Sequence, residues 1–76
     1  MPRIAPIHWT IFECILFKAG FAFSRQNGSH RVYIKTGSRS IVIPVHSKMI
    51  DPFIIQTNIK TAGISRDDYF KFLALC

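Results

Sequence analysis

From about His8 to Ala19 the apolar residues Trp9, Phe12, Ile15, Leu16 and Ala19 recur at the three- and four-residue spacing of one helix face. Ile11 and Phe17 widen that stripe. Gly20 stands where a helix commonly ends in a left-handed residue, and Phe21 beyond it can pack back on the helix. From Phe21 the period changes to two. Phe21–Gln26 reads as a strand, and Asn27-Gly28 predicts a tight hairpin, because both residues tolerate positive φ. Ser29–Lys35 reads as the next strand. Its faces differ: His30, Val32 and Ile34 point one way, Arg31, Tyr33 and Lys35 the other. Thr36-Gly37-Ser38 makes a second turn, and Arg39–Val45 a third strand. Pro44 has no N–H to give a ladder, so it belongs near a strand end or on an edge.

His46–Ile50 reads as a loop. Asp51-Pro52 is a helix start, an N-cap followed by a first-turn proline. Phe53, Ile55, Ile59 and Ala62 suit a helix to Ala62, which Gly63 ends. Ser65-Arg66-Asp67-Asp68 resembles a capping box with a shorter acid. A last helix then runs to about Leu75, burying Tyr69, Phe70, Phe72 or Leu73. Strands joined by short turns are antiparallel. Helices over one sheet face give an α+β, two-layer domain: α-β-β-β-α with a three-stranded antiparallel sheet and a short C-terminal helix.

The chain has 76 residues, read as a single domain over 1–76. A domain of this size buries only about 60% of its unfolded surface, which leaves no room for a large organic cofactor. Seven Phe, two Tyr and one Trp argue against disorder, and Trp9 and the phenylalanines are expected in the core. Ten Lys and Arg against four Asp and Glu give a net charge of +6, so anionic partners come first: nucleic acid, an acidic protein or a membrane surface. No apolar run approaches the ~20 residues that span a bilayer. The start, Met1-Pro2-Arg3-Ile4-Ala5-Pro6, lacks the apolar core of a signal peptide, so the expected compartment is the cytoplasm. Cys14 reads as a small core residue and Cys76, the last residue, as a free thiol.

His8, His30 and His46 match no metal-ligand spacing, and no metal or other cofactor is expected. There is no phosphate-binding glycine loop and no nucleophile elbow. Asp67-Asp68 suits a helix start. The segment that carries chemistry is Arg25-Gln26-Asn27-Gly28-Ser29-His30-Arg31. A histidine beside a rigid turn can take a proton from a ribose 2′-hydroxyl, and cations on the flanking strands can hold the phosphate. RNA brings its own nucleophile, so no metal is needed. The plain alternative is a hairpin whose His and Arg are merely solvated, and composition and spacing favour that reading.

Gly20-Phe21, Arg25-Gln26-x-Gly28-Ser29-His30, Ile43-Pro44-Val45-His46-x-Lys48 and Ala62-Gly63-Ile64-Ser65, with the Pro2-Arg3 opening and Trp9, resemble the HicA (YcfA-like) toxin family. The resemblance covers nearly the whole chain in order. It implies a double-stranded-RNA-binding-domain-like fold. It also implies a metal-independent endoribonuclease that cleaves mRNA, blocks translation and is neutralised by a HicB-type antitoxin. His30 corresponds to the family's catalytic histidine. Phe53-Ile54-Ile55 stands where the family commonly has a Gly-Thr-Leu-like helix start, Asn58 where an aliphatic residue is usual, and Met49 where an acid is common. An exposed Phe53 or Ile54 would mark a self-association or partner patch.

Besides His30, the candidate RNA contacts are Arg25, Gln26, Gly28, Ser29, Arg31, His46 and Lys48. For Arg25, Arg31 and Lys48 the competing reading is ordinary surface charge, and for His46 a loop histidine capping backbone groups. His8 reads as structural or exposed. Arg31, Tyr33 and Lys35 form a basic–aromatic strip that would stack a base, unless that face packs the helices. Two other functions compete: a non-catalytic RNA-binding module, and a protein-interaction domain with a basic surface.

Overall fold

The computed structural model describes residues 3–76, so Pro2 of the Pro2-Arg3 opening lies outside the described residues. β1 (Ile7–His8) leads into α1 (Trp9–Lys18). His8 caps this helix, its Nδ1 accepting from the Thr10 N–H at 3.2 Å. Phe12, Ile15 and Leu16 are buried as the spacing predicts. Phe17 is not in the stripe: it is half exposed and meets Tyr33 edge-on at 5.9 Å. The helix ends as expected, with Gly20 at φ 97° and the Phe21 N–H donating to Leu16 O at 2.9 Å.

β2 (Ala22–Asn27), β3 (His30–Ile34) and β4 (Ile41–Pro44) form an antiparallel sheet in the order β2-β3-β4. The hairpin turn falls one residue later than expected, on Gly28-Ser29, because Asn27 pairs with His30. Gly28 carries φ 58°, the first-centre glycine of a two-residue turn. A bulge at Ser24 changes the alternation of β2. Phe23 pairs with Tyr33 and Gln26 with Arg31, while Arg25 pairs with Val32 and Asn27 with His30. Phe23 and Gln26 therefore share one face, and Arg25 and Asn27 the other.

The helices take the face that carries Tyr33, Ile41 and Ile43. These join Phe12, Ile15 and Leu16 of α1 and Ile55 and Ile59 of α2 (Pro52–Ala62) in one core. Tyr33 is fully buried, so the basic–aromatic strip does not exist as a stacking surface. Lys35, its third member, donates instead to Ala19 O at 2.8 Å, at the C-terminal end of α1. His30, Val32 and Ile34 face away from the helices.

The Val45 N–H donates to Ser29 O at 2.8 Å and sets the phase of the β3–β4 ladder. By alternation, Arg31/Ile43 and Tyr33/Ile41 are the mutually bonded pairs, whereas His30/Pro44 and Val32/Val42 are not. Pro44, the last residue of β4, thus turns its nitrogen outward, where no donor is missed. The Val42 carbonyl also points outward, and Asn58 of α2 donates Nδ2 to it at 3.3 Å. That bond gives the half-buried Asn58 side chain a partner on the sheet edge. The expected loop before α2 contains a short strand, β5 (Met49–Ile50), paired antiparallel with β1.

Asp51 caps α2, accepting from the Phe53 N–H at 2.8 Å. α3 (Arg66–Leu75) starts at Ser65, whose hydroxyl oxygen accepts from the Asp68 N–H at 3.0 Å. It packs against α1, with Tyr69 buried and Phe70, Phe72 and Leu73 half-buried. The aromatic residues are less uniformly internal than expected. Phe12 and Phe21 are buried, Trp9 is half-buried, and Phe23 and Phe53 are exposed, Phe53 by 74%. Phe53 sits in the first turn of α2, one side of an open groove lined by Ile59 and Ile64. The thiol expectation is also corrected: Cys14 and Cys76 form a disulfide, with Cα atoms 6.1 Å apart. The packing of α3 on α1 brings the chain end back to Cys14, within bridging range. Among the described residues no helix is long and apolar enough to cross a membrane.

Candidate functional site

The β2–β3 hairpin presents its polar residues on two opposite faces. On the solvent face His30 opens β3, with Asn27 across from it on β2 and Pro44 across on β4. Arg25 lies on the same face, paired with Val32. His30 and Arg25 are both exposed, and neither side chain makes a hydrogen bond or ion pair among the described residues.

The end of β4 brings in the second half of the site. Ser29 O accepts from the Val45 N–H, so His46, the next residue, starts its loop beside the hairpin turn. Lys48 follows in that loop with φ 57°, and its carbonyl accepts from the Trp9 N–H at 2.8 Å. His46 and Lys48 are exposed, and their side chains have no hydrogen-bond partner among the described residues. His30 and Arg25 thus share the solvent face of the hairpin, His46 starts its loop beside the turn, and Lys48 follows in that loop, held by its carbonyl to Trp9. Among the described residues no cluster of His, Cys, Asp and Glu has the make-up of a metal site.

Arg31 is placed differently from the other candidates. It points to the helix side, where Nη2 donates to Glu13 Oε2 at 2.9 Å. Its Nη1 donates to Gln26 Oε1 at 2.7 Å and its Nε to the Tyr33 hydroxyl at 3.0 Å. The guanidinium lies over Phe23, 4.1 Å from the ring centroid, with Trp9 at 5.0 Å. Tyr33 donates to the same Glu13 oxygen at 2.5 Å. Burial first, and then the bond to Glu13, push the Tyr33 phenol up to about 12, so it remains a donor at neutral pH. The bond to Tyr33, and more weakly Glu13, push the Arg31 pKa up against the effect of burial. Gln26 passes the connection on, its Nε2 donating to Gly28 O at 2.9 Å. Gly28 and Ser29 form the turn itself, and Ser29 is half-buried.

Glu13 is the residue that the sequence reading missed. One signal pointed to it: it is the sole acid before Asp51 in a chain of net charge +6. A lone acid inside an apolar helix stripe needs a partner.

Residues 9–64 match the family model described as the HicA toxin of bacterial toxin–antitoxin. The matched span runs from the first residue of α1 to Ile64, contains the whole hairpin, and stops before α3. No curated protein matches the chain at a significant level.

Proposed function

The chain belongs to the HicA toxin family, and from that premise we propose that it is an endoribonuclease toxin, acting in the cytoplasm, that cleaves mRNA and so halts translation. His30 takes the proton of a ribose 2′-hydroxyl. The freed oxygen attacks the adjacent phosphorus, and the 5′-oxygen of the next nucleotide leaves with a proton. Arg25 and Lys48 hold the phosphate oxygens while charge builds on them. His46, in the neighbouring loop, supplies the leaving-group proton. Gln26, Gly28, Ser29 and Arg31 act in this reading by shaping the hairpin. The scheme requires no metal and no cofactor, since the substrate carries the nucleophile. A HicB-type antitoxin is the protein partner that the family implies.

The observation that carries the reading is the exposure of His30 on the solvent face of a rigid turn, on the same face as Arg25 and beside the loop of His46. The test is incubation of the purified protein with RNA in the presence of chelator. Wild type is expected to cleave, and His30→Ala to lose about a hundredfold or more of the rate. Equal cleavage by both proteins, or none by either, sinks the proposal. RNA binding that weakens steeply with salt and ignores His30, without scission, would return the non-catalytic reading instead.

A further inference from the structure

Both strands of the hairpin and a helix 18 residues before Arg31 meet behind the turn in one continuous path. Glu13 of α1 holds Arg31 of β3, Arg31 holds the Gln26 side chain of β2, and Gln26 holds the Gly28 carbonyl at the turn. We infer that Glu13 is a positioning residue for His30, fixing the hairpin tip to α1 through Arg31 and Gln26. The inference rests on the reading of His30 as the group that moves the proton.

Adjacent residues of a strand point to opposite faces. Arg31 is held on the helix side, and His30, one peptide away, is therefore held on the solvent side. Three of the Arg31 nitrogens are engaged, each by a different partner, so the guanidinium has little freedom to swing. Tyr33 closes the arrangement: its hydroxyl accepts from Arg31 and donates to Glu13. Phe23 and Trp9 flank the guanidinium. The ion pair is largely shielded, at 20% and 19% side-chain exposure.

The hairpin tip needs such a brace. Every residue of β2 is exposed, and β2 is an edge strand. Apart from the backbone ladder and the Val45–Ser29 bond, the turn is tied to α1 by the hydrogen-bonded Gln26–Arg31–Glu13 path, which Tyr33 doubles and Trp9 flanks. Without it the turn is free to rock about the strands. A displacement of about 1 Å at a proton-transfer group costs about a hundredfold in rate.

The experiment compares wild type, Glu13→Gln, Glu13→Ala and Gln26→Ala. Thermal unfolding of each comes first, and cleavage is then measured well below every midpoint. The expected result is a kcat about tenfold to a hundredfold lower in Glu13→Ala, with KM within about twofold of wild type. Glu13→Gln, which still accepts hydrogen bonds but lacks the charge, falls between. NMR relaxation dispersion should show new microsecond–millisecond exchange at the Gly28, Ser29 and His30 amides in both Glu13 variants. Gln26 is exposed, so Gln26→Ala keeps the test alive if Glu13→Ala does not fold. It should lower kcat, whereas loss of a mere RNA contact would raise KM. Unchanged kcat together with unchanged hairpin dynamics overturns the inference. If wild type and His30→Ala do not differ in cleavage, the functional reading fails. The amide exchange would then still report whether Glu13 holds the hairpin.

Discussion

Replacing Cys14 and Cys76 by serine removes a cross-link between residues 62 apart in sequence. Closing a loop of that length in the unfolded chain reduces its entropy by an amount worth about 4 kcal/mol at 25 °C. In a domain of 60–100 residues each kcal/mol moves the melting midpoint by about 4–8 °C. The expected shift is therefore about 15–30 °C downward. It should be felt most in α3, where only Tyr69 is fully buried and the disulfide ties down the chain end. Circular dichroism melts with and without a phosphine reductant give the measurement. Wild type should melt much lower in reductant, and the double serine variant should melt at the same low temperature in both buffers. Alkylation of the native protein should modify no cysteine until reductant is added. A shift of less than about 5 °C on reduction would refute the reasoning, because the cross-link would then not be restraining the unfolded chain. In a reducing compartment the thiols stay apart and this contribution is lost.

The remaining predictions concern the two tyrosines. Tyr33 has its pKa raised to about 12 in the folded protein against an ordinary value near 10. The stability it contributes is thus complete below about pH 10 and is lost as pH rises toward 12, about 3 kcal/mol in all. Urea unfolding at a series of alkaline pH values should show a steeper loss for wild type than for Tyr33→Phe; parallel curves would contradict the assignment. The Tyr69 hydroxyl is buried and has no hydrogen-bond partner among the described residues. Tyr69→Phe should raise stability by about 1 kcal/mol in the same assay, and a loss of stability would show that the hydroxyl is satisfied.

Local signals were legible in the sequence and distant pairings were not. Asp51, Gly63 and Ser65 set helix ends through bonds to residues within a turn, so α2 and α3 fell where their caps put them. The sheet followed from the two-residue period, yet Asn27-Gly28 misplaced the turn by one residue, since glycine alone meets the conformational demand there. Which sheet face meets the helices could not be read from β3, because both of its faces mix apolar and polar residues. The choice shows only in long-range contacts: Ile41 and Ile43 join the core from the same face, and Glu13 takes Arg31 and Tyr33 from 18 and 20 positions away. β1–β5 pairing and the Cys14–Cys76 bridge are long-range in the same way and leave no local pattern. The turn and strand pattern placed His30 at the start of a hairpin strand, where it lies, but the inward turn of Arg31 depends on a helix that precedes it by a dozen residues and more.

A three-stranded sheet has two edges, and an edge strand offers its free donors and acceptors to any passing chain. Here both are blunted. On β4 the outward Val42 carbonyl is taken by Asn58, and Pro44 has no N–H to offer. On β2 the bulge at Ser24 breaks the even spacing that a new strand would need, and Arg25 sets an exposed charge one residue on. Each edge is made a poorer template for a fourth strand. Such edges favour association with another protein, or with a second copy, through side chains rather than by lengthening the ladder.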